Sequence, residues 1–422
     1  LVVLRNRCGT ERARTDSEAI AAGLRLQSKP IMATTIPGIS GKIAGVINRP
    51  TNPIFNDNKL KLGTFCTNTI PNMSLVPEVR QPTWANTLAS ARLADNAGLE
   101  AIVPIARWKG YLDDKADHPS NIVFETFTWA AGVAAATQYS AVFATSHAPT
   151  MHPMLVAKES ATIDAISAGR FALNIVGGWN RREFEMFGID LMEHDQRYVY
   201  LEEWLQLLRR LWTSPTEFDY ESKYFRMKRA ISRPLPLQPG GVPVMNAALS
   251  PMGMRFSAKY SDIGLISPHG TTPEEWRPQV ENYKKMAREE FGREIQLWTN
   301  CSVVQRETQK AAEEYLHRYS EEYLDTEVMN SLMRTISAEN NIPMGSERLE
   351  FMRRRMAVGA GHPLIGTAQS IAEELAAISS VGIDGVIMTW VDYVDGVDRF
   401  IREVLPPLEQ AGLRKPVPKQ NG

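Results

Sequence analysis

Cysteine is scarce in this chain: Cys8, Cys66 and Cys301 occur among 422 residues, with no CxxC pair. So sparse and odd a set builds no disulfide scaffold and suits a reducing compartment, the cytoplasm. Charge of one sign is lacking as well, since 47 Lys and Arg face 48 Asp and Glu for a net charge of −1. A nucleic-acid binder normally carries a basic excess or a basic face, so that class is set aside. No apolar run approaches the ~18 residues of a membrane span. Low-complexity tracts are absent too. The expectation is a soluble globular protein of a size common among enzymes. It is long enough for one large α/β barrel or two modest domains.

Residues 1–58 read as an N-terminal extension. Leu1–Pro30 is rich in Arg interleaved with acids and has no apolar core of a secretory signal. Met32–Asn58 is rich in Thr, Pro, Gly and Asn, with little to bury, and reads as an extended or partly disordered arm. A short helix fits Ser17–Leu26, and Met32 is an alternative first residue. No chemistry is assigned to this region.

From Leu60 the pattern alternates. Short buried runs at Leu60–Cys66, Ala101–Ile105, Ala141–Thr145, Phe171–Val176, Val242–Asn246, Asp262–Ile266, Leu297–Val304 and Gly385–Thr389 predict strands. Between them lie helical patterns at Thr83–Ala97, Phe124–Thr137, Pro153–Ser167, Pro251–Tyr260 and Thr367–Ser380. The strongest runs from Asp195 to Trp212, where Leu201, Trp204, Leu205, Leu208, Leu211 and Trp212 form one apolar stripe. Thr272-Pro273-Glu274-Glu275 is a capping box that opens another helix, and Gly396–Gln410 closes the series. Glu217–Met227 reads as a hairpin. Eight strands, each followed by a helix, are the arithmetic of a (β/α)8 TIM barrel. The rival, a doubly wound sheet, lacks its GxGxxG after the first strand. The barrel is placed at 59–412, with a charged, Met-rich helical insert at 305–360 near strand seven and a tail at 413–422.

In a barrel the chemistry sits at the C-terminal strand ends. There the third strand ends in Thr145-Ser146-His147, and the fourth carries Asn174 into Gly177-Gly178-Trp179. The fifth ends at Asn246, close before Ser250. Asn174 breaks an apolar run, as a structural amide or as a ligand's partner. Ser250 is either a plain helix cap or part of a phosphate cradle. His147 and His152 lack the spacing of a helical zinc motif, no GxSxG marks a nucleophile, and Cys66 reads as an inert buried thiol. The Met residues of the insert either cover an apolar pocket or fill core gaps. An uncharged, phosphate-friendly mouth without an evident metal suits a bound organic cofactor.

Ala161–Phe187 reads ATIDAISAGRFALNIVGGWNRREFEMF. This string resembles the bacterial luciferase-like superfamily of flavin-dependent monooxygenases. NIVGGW and EHDQRY are most similar to the branch of the pyrimidine oxygenases and dimethylsulfone monooxygenases; LIGTAQSIAEEL belongs to the resemblance too, and the closing TWVDY is nearer to the pyrimidine oxygenases than to the sulfone enzymes. The resemblance spans about Lys59 to Ala411.

The resemblance implies reduced FMN (FMNH2) delivered by a separate NAD(P)H-dependent flavin reductase. It implies O2 as co-substrate, a homodimer or homotetramer, and oxygenation or cleavage of a heterocyclic amide, organosulfur or halogenated molecule. Carried over by position, flavin contacts fall on Pro104, Ile105, Asn174, Glu183, Arg197, Tyr198 and Ser250, and the O2-handling pair on Thr145 and Asn174. Trp108, His147 and Gly177 are candidates for the substrate pocket, and no metal is implied. Gly177 departs from the hydroxyl residue of related enzymes, which puts uracil in doubt as substrate. The alternatives are an F420-dependent oxidoreductase of the same fold and a non-catalytic flavin-binding protein.

Overall fold

The computed structural model describes residues 52–70, 72–247 and 250–416. The helix expected at Ser17–Leu26 and most of the 1–58 extension lie outside them. Eleven strands are present among the described residues: β1 Lys61–Phe65, β2 Ala101–Val103, β3 Ala141–His147, β4 Phe171–Val176, β5 Phe218–Glu221, β6 Arg226–Ala230, β7 Val244–Ala247, β8 Ile263–Ile266, β9 Gln296–Gln305, β10 His362–Gly366 and β11 Gly385–Thr389. The parallel order β9-β11-β1-β2-β3-β4-β7-β8 closes on itself through β8–β9 pairing. This is the expected (β/α)8 barrel, with its eight strands where the buried runs placed them.

Alternation along the strands sorts side chains into two layers. Ala101, Val103, Phe143, Met245, Trp298 and Ile387 fill the barrel interior. The residues between them, such as Ile102, Val142, Leu173 and Val386, pack outward under the helices. Gly385 makes room for the largest interior side chain, since a Cβ there would sit 2.4 Å from the Trp298 ring. The helices begin on the caps that the sequence supplies. Thr83 accepts from the Asn86 amide, and Thr272 and Glu275 form the capping box of Pro273–Phe291. The His194–Thr213 helix buries the expected Leu and Trp stripe. The last helical stretch differs from expectation. It starts at Tyr393, capped by the Asp392 carboxylate, and breaks after Glu403 before resuming at Leu405.

Composition alone puts residues 52–58 with the extended arm, whereas in the structure they build the barrel floor. Ile54 belongs to the interior core, and its carbonyl accepts from Gln296 Nε2 at 2.9 Å. Asn56 and Asn58 both donate to the Glu100 carboxylate. From the other chain end, Arg414 Nη1 reaches the same carboxylate at 2.7 Å, and both side chains of this pair are almost fully buried.

The region after β9 is helical, as expected. It comprises Gln309–His317, a π turn at Arg318–Glu322, Thr326–Asn340 and Glu347–Val358. It holds a small core of its own, in which Met329, Leu332, Met333 and Ile336 meet Leu349. β10 was not foreseen. It pairs with Cys301–Gln305, the upper half of β9, along the edge that β8 occupies lower down.

Candidate active site

Three strand ends meet through one hydrogen-bond relay. Thr145 is two residues beyond Phe143, and Asn174 two beyond Ala172, so both side chains enter the barrel mouth. They are cross-strand neighbours in the β3–β4 register. Asn174 Nδ2 donates to Thr145 Oγ1 at 3.2 Å, and Thr145 Oγ1 donates to the Pro104 carbonyl at 2.7 Å. Asn174 Oδ1 is buried and has no partner among the described residues. The relay therefore holds a hydroxyl in one rotamer and presents an open amide edge beside it.

Ile105, next to this relay, is fixed by a residue that the sequence did not point to. Asn68 donates to the Ile105 carbonyl at 2.8 Å and accepts from the Ile105 amide at 3.0 Å. It also donates to the Phe124 carbonyl at 3.1 Å, so it joins three loops of the mouth. Its only trace in the sequence is a polar residue just past the first strand.

His147 ends β3 and lies 3.5 Å from the Glu183 carboxylate, both more than nine-tenths buried. Burial lowers the His147 pKa to about 4 and raises that of Glu183. Desolvation opposes the charged form of each group. Backbone amides around Trp108 and Lys109 moderate the Glu183 shift. The Trp108 ring packs edge-on against Phe187, 5.0 Å between centroids. Trp108, Thr145 and His147 together line a small cavity of about 100 Å³. His152, by contrast, caps the Pro153–Ile166 helix.

After β4 the chain needs its glycines unequally. A Cβ at Gly178 would lie 2.1 Å from the Phe184 ring, and its φ is +81°, so no side chain fits. At Gly177 a Cβ would meet only the Arg197 side chain, Cβ at 3.4 Å and Cδ at 3.9 Å. Arg197 Nη1 donates to the Gly178 carbonyl, while its Nε is buried without a partner among the described residues. Tyr198 leaves that helix toward Phe256, at 6.0 Å, on the helix Pro251–Tyr260. Ser250 caps this last helix, accepting from the Gly253 amide at 3.1 Å. The relay residues, the His147–Glu183 pair and the Gly177–Arg197 contact share the mouth. Ser250 makes no hydrogen bond to Arg197 or Tyr198 among the described residues.

Cys66 adopts φ +62° at the end of β1 and is buried, which pushes its thiol pKa up. An inert thiol is what this environment makes. Above it lies a larger cavity of about 370 Å³, between the mouth and the insert, and Met352 and Met356 line it. Met329 and Met333 fill the insert core, and Met344 is exposed, so only part of the Met-rich sequence covers a pocket.

The luciferase-like monooxygenase family matches residues 60–385 of this chain. The pyrimidine monooxygenase RutA of Escherichia coli O157:H7 is 31% identical over 345 residues, 80% of this chain and 92% of that protein. Among solved structures, the long-chain alkane monooxygenase LadA superposes with a TM-score of 0.74 at 20% identity, covering 87% of this chain and 94% of its own. DmoA from Hyphomicrobium sulfonivorans gives 0.73 at 20% identity, covering 86% and 92%. These two likenesses speak for the fold, and the family match and RutA for kinship. The chain belongs to the luciferase-like monooxygenase family and shares its class of activity, flavin-dependent monooxygenation of a small molecule.

Proposed function

We propose that this chain is the oxygenase of a two-component system in the cytoplasm. It takes FMNH2 from a separate NAD(P)H-dependent flavin reductase and uses O2 to oxygenate or cleave a small organic molecule. It works as a homodimer or homotetramer. The observation that carries this reading is the Pro104–Thr145–Asn174 relay with its open amide oxygen at the barrel mouth.

The residues fit a flavin. Asn174 Oδ1 and Arg197 Nε are buried polar atoms without partners among the described residues, and a polar ring edge or phosphate would complete them. Ser250 opens a ten-residue helix whose N-terminus favours an anion. Arg197 and Tyr198 add a cation and a hydroxyl for the phosphate. Reduced flavin, when bound, supplies the two electrons with which one oxygen atom enters product and the other leaves as water. The chain's own part is positional and electrostatic. Thr145 is held by the Pro104 carbonyl, and Asn174 by Thr145, so neither reorganises as charge develops beside them. In the orientation seen, Asn174 turns its oxygen outward. That oxygen is an acceptor, placed for an N–H of the flavin ring edge. Burial keeps His147 neutral near pH 7 beside the Glu183 carboxyl. Trp108 and Gly177 sit where they would shape the substrate side.

The reading is tested by mixing enzyme, anaerobically reduced FMN and ¹⁸O₂ with a panel of candidate substrates. Enzyme-dependent ¹⁸O in a product is expected, together with tighter binding of FMN than of F420 in an absorbance titration. Thr145→Ala should cut product formation about 100-fold or more, in line with loss of one preorganised stabilising group. FMN affinity should stay nearly intact. Equal loss of both would make Thr145 structural, and absence of ¹⁸O across the panel would remove the monooxygenase reading.

A further inference from the structure

The larger cavity says what kind of molecule this site accepts. Its walls are mainly apolar, with Phe65 and Ile105 from the strand ends facing Leu332, Ile336, Met352 and Met356 of the insert. A cavity of about 150 Å³ already takes benzene, so about 370 Å³ holds a ring with a short side chain. Arg107 is the one charged residue among its described lining. Its guanidinium stacks over the Tyr111 ring, 4.5 Å from the centroid. It makes one long hydrogen bond, 3.4 Å to the Ser120 carbonyl, and no ion pair among the described residues. The Glu183 carboxylate, which feels the Arg107 charge, makes no ion pair with it; one oxygen accepts from the Lys109 amide at 3.5 Å and the other lies 3.5 Å from the His147 ring.

A second polar group points the same way. Asn72 is 7% exposed; its Oδ1 accepts from the Ser74 amide at 3.1 Å, and its Nδ2 is buried without a partner among the described residues. The remaining side-chain amide, Asn340, donates to the Ile336 carbonyl of its own helix. Arg107 and Asn72 Nδ2 therefore offer donors only. A ligand without an acceptor would leave a guanidinium and an amide desolvated and unmet, a costly state. An oxyanion satisfies both, and Arg in particular takes a carboxylate or sulfonate through two parallel bonds.

We propose that the substrate is a compact apolar molecule bearing a single carboxylate or sulfonate. Its body lies between the barrel mouth and the insert, and its oxyanion on Arg107 and Asn72. The proposal rests on the monooxygenase reading of this site and narrows its substrate class. Arg107 also lines the smaller cavity that holds Thr145 and His147, so the anchored end is close to the relay. A small neutral polar ring such as uracil would leave the Leu, Ile and Met walls unfilled.

Binding tests this without turnover. FMN-loaded enzyme is titrated calorimetrically with 3-phenylpropanoate, 3-phenylpropane-1-sulfonate, 3-phenylpropanamide and uracil. Either acid should bind at least about tenfold more tightly than the amide, the margin of a charge-assisted pair. Arg107→Met should remove that margin and leave amide affinity unchanged, and Asn72→Leu should reduce it in the same selective way. Met356→Trp fills the cavity and should weaken acid and amide alike. Amide binding as tight as acid, no measurable binding of either acid, or acid affinity unmoved in Arg107→Met overturns the proposal. If Arg107→Met fails to fold, an Asn72→Leu variant with full acid preference overturns it equally. All of these outcomes leave flavin chemistry untouched. Conversely, selective acid binding without ¹⁸O incorporation would sink the monooxygenase reading and leave the ligand class standing.

Discussion

The two ends of the barrel spend their buried polar groups in opposite ways. Around Glu100, Asp95 and Arg170 at the floor, nearly every valence is closed by the chain. Glu100 accepts from Asn56, Asn58, the Leu62 amide and Arg414. Asp95 takes the amides of Gln138, Tyr139 and Ser140 at 2.8–2.9 Å. Arg170 donates to the carbonyls of Ala134, Thr137 and Ser140. The exception in this cluster is Arg414 Nε. At the mouth, Asn174 Oδ1, His147 Nδ1, Asn246 Oδ1 and Arg197 Nε are all buried and unmet among the described residues. Both ends are well buried, so exposure does not separate them. Open valence does. A fold that closes its floor can leave its mouth unsatisfied, and those unmet groups mark where a ligand belongs.

The largest effect should come from breaking the floor. Glu100→Ala strands the Arg414 guanidinium in a site where it is 1% exposed. Loss of one partner of a buried pair costs about 3–5 kcal/mol. A large drop in the denaturation midpoint is expected, with FMN affinity unchanged in the fraction that remains folded. Replacing both partners, Glu100→Met with Arg414→Met, should recover much of the loss, because no charge is then left unpaired. If Glu100→Ala instead weakens FMN binding and spares stability, the division between floor and mouth fails.

The mouth should respond more to pH than to truncation. Burial lowers the folded pKa of His147 to about 4 from an ordinary 6.5. Below pH 6.5 the unfolded chain binds the proton and the folded chain does not, so stability falls as pH drops from 6.5 toward 4. At about 1.4 kcal/mol per unit, the full span amounts to roughly 3 kcal/mol. Glu183, whose pKa is raised, acts in the opposite sense and protonates in the folded state first. Denaturant melts at pH 5 and pH 7 should therefore show a smaller loss on acidification in His147→Gln than in the parent. An unchanged difference would place the acid sensitivity elsewhere.

What the sequence revealed follows the same division. The barrel strands were legible because each is a short buried run between turns, and the caps at Thr83, Ser250 and Thr272 were written locally. β10 was hidden by its composition, HPLIG, in which Pro and Gly read as loop and only the upper half of β9 supplies its partner. Residues 52–58 read as solvated arm because Asn is counted as polar. Asn52, Asn56 and Asn58 each find partners 42 or more residues away. Asn68 and Arg107 escaped for a related reason. Their roles are set by what lies across the mouth, which no local pattern encodes. Asn174 stood out as a break in an apolar run and Thr145 as a strand end, the resemblance paired them, and their register across β3 and β4 joins them directly.

The smallest stability effect separates two adjacent glycines. Gly178 is demanded by geometry, since φ +81° and the Phe184 ring at 2.1 Å both exclude a side chain. Gly177 faces no such demand, because a Cβ would make ordinary contact with Arg197 Cβ at 3.4 Å. Gly177→Ser should therefore change stability by no more than about 0.5 kcal/mol, as a surface-like substitution without strain does. Gly178→Ala should cost several-fold more through the clash and the left-handed backbone. The new hydroxyl at 177 would stand beside Arg197 in the mouth and supply the group that this chain lacks. Thermal melts of the two variants, paired with ¹⁸O incorporation over polar and apolar substrates, distinguish the roles. If Gly177→Ser melts as low as Gly178→Ala, the departure at 177 is a folding requirement. If it melts like the parent and gains turnover on polar ring substrates, residue 177 tunes what the mouth accepts.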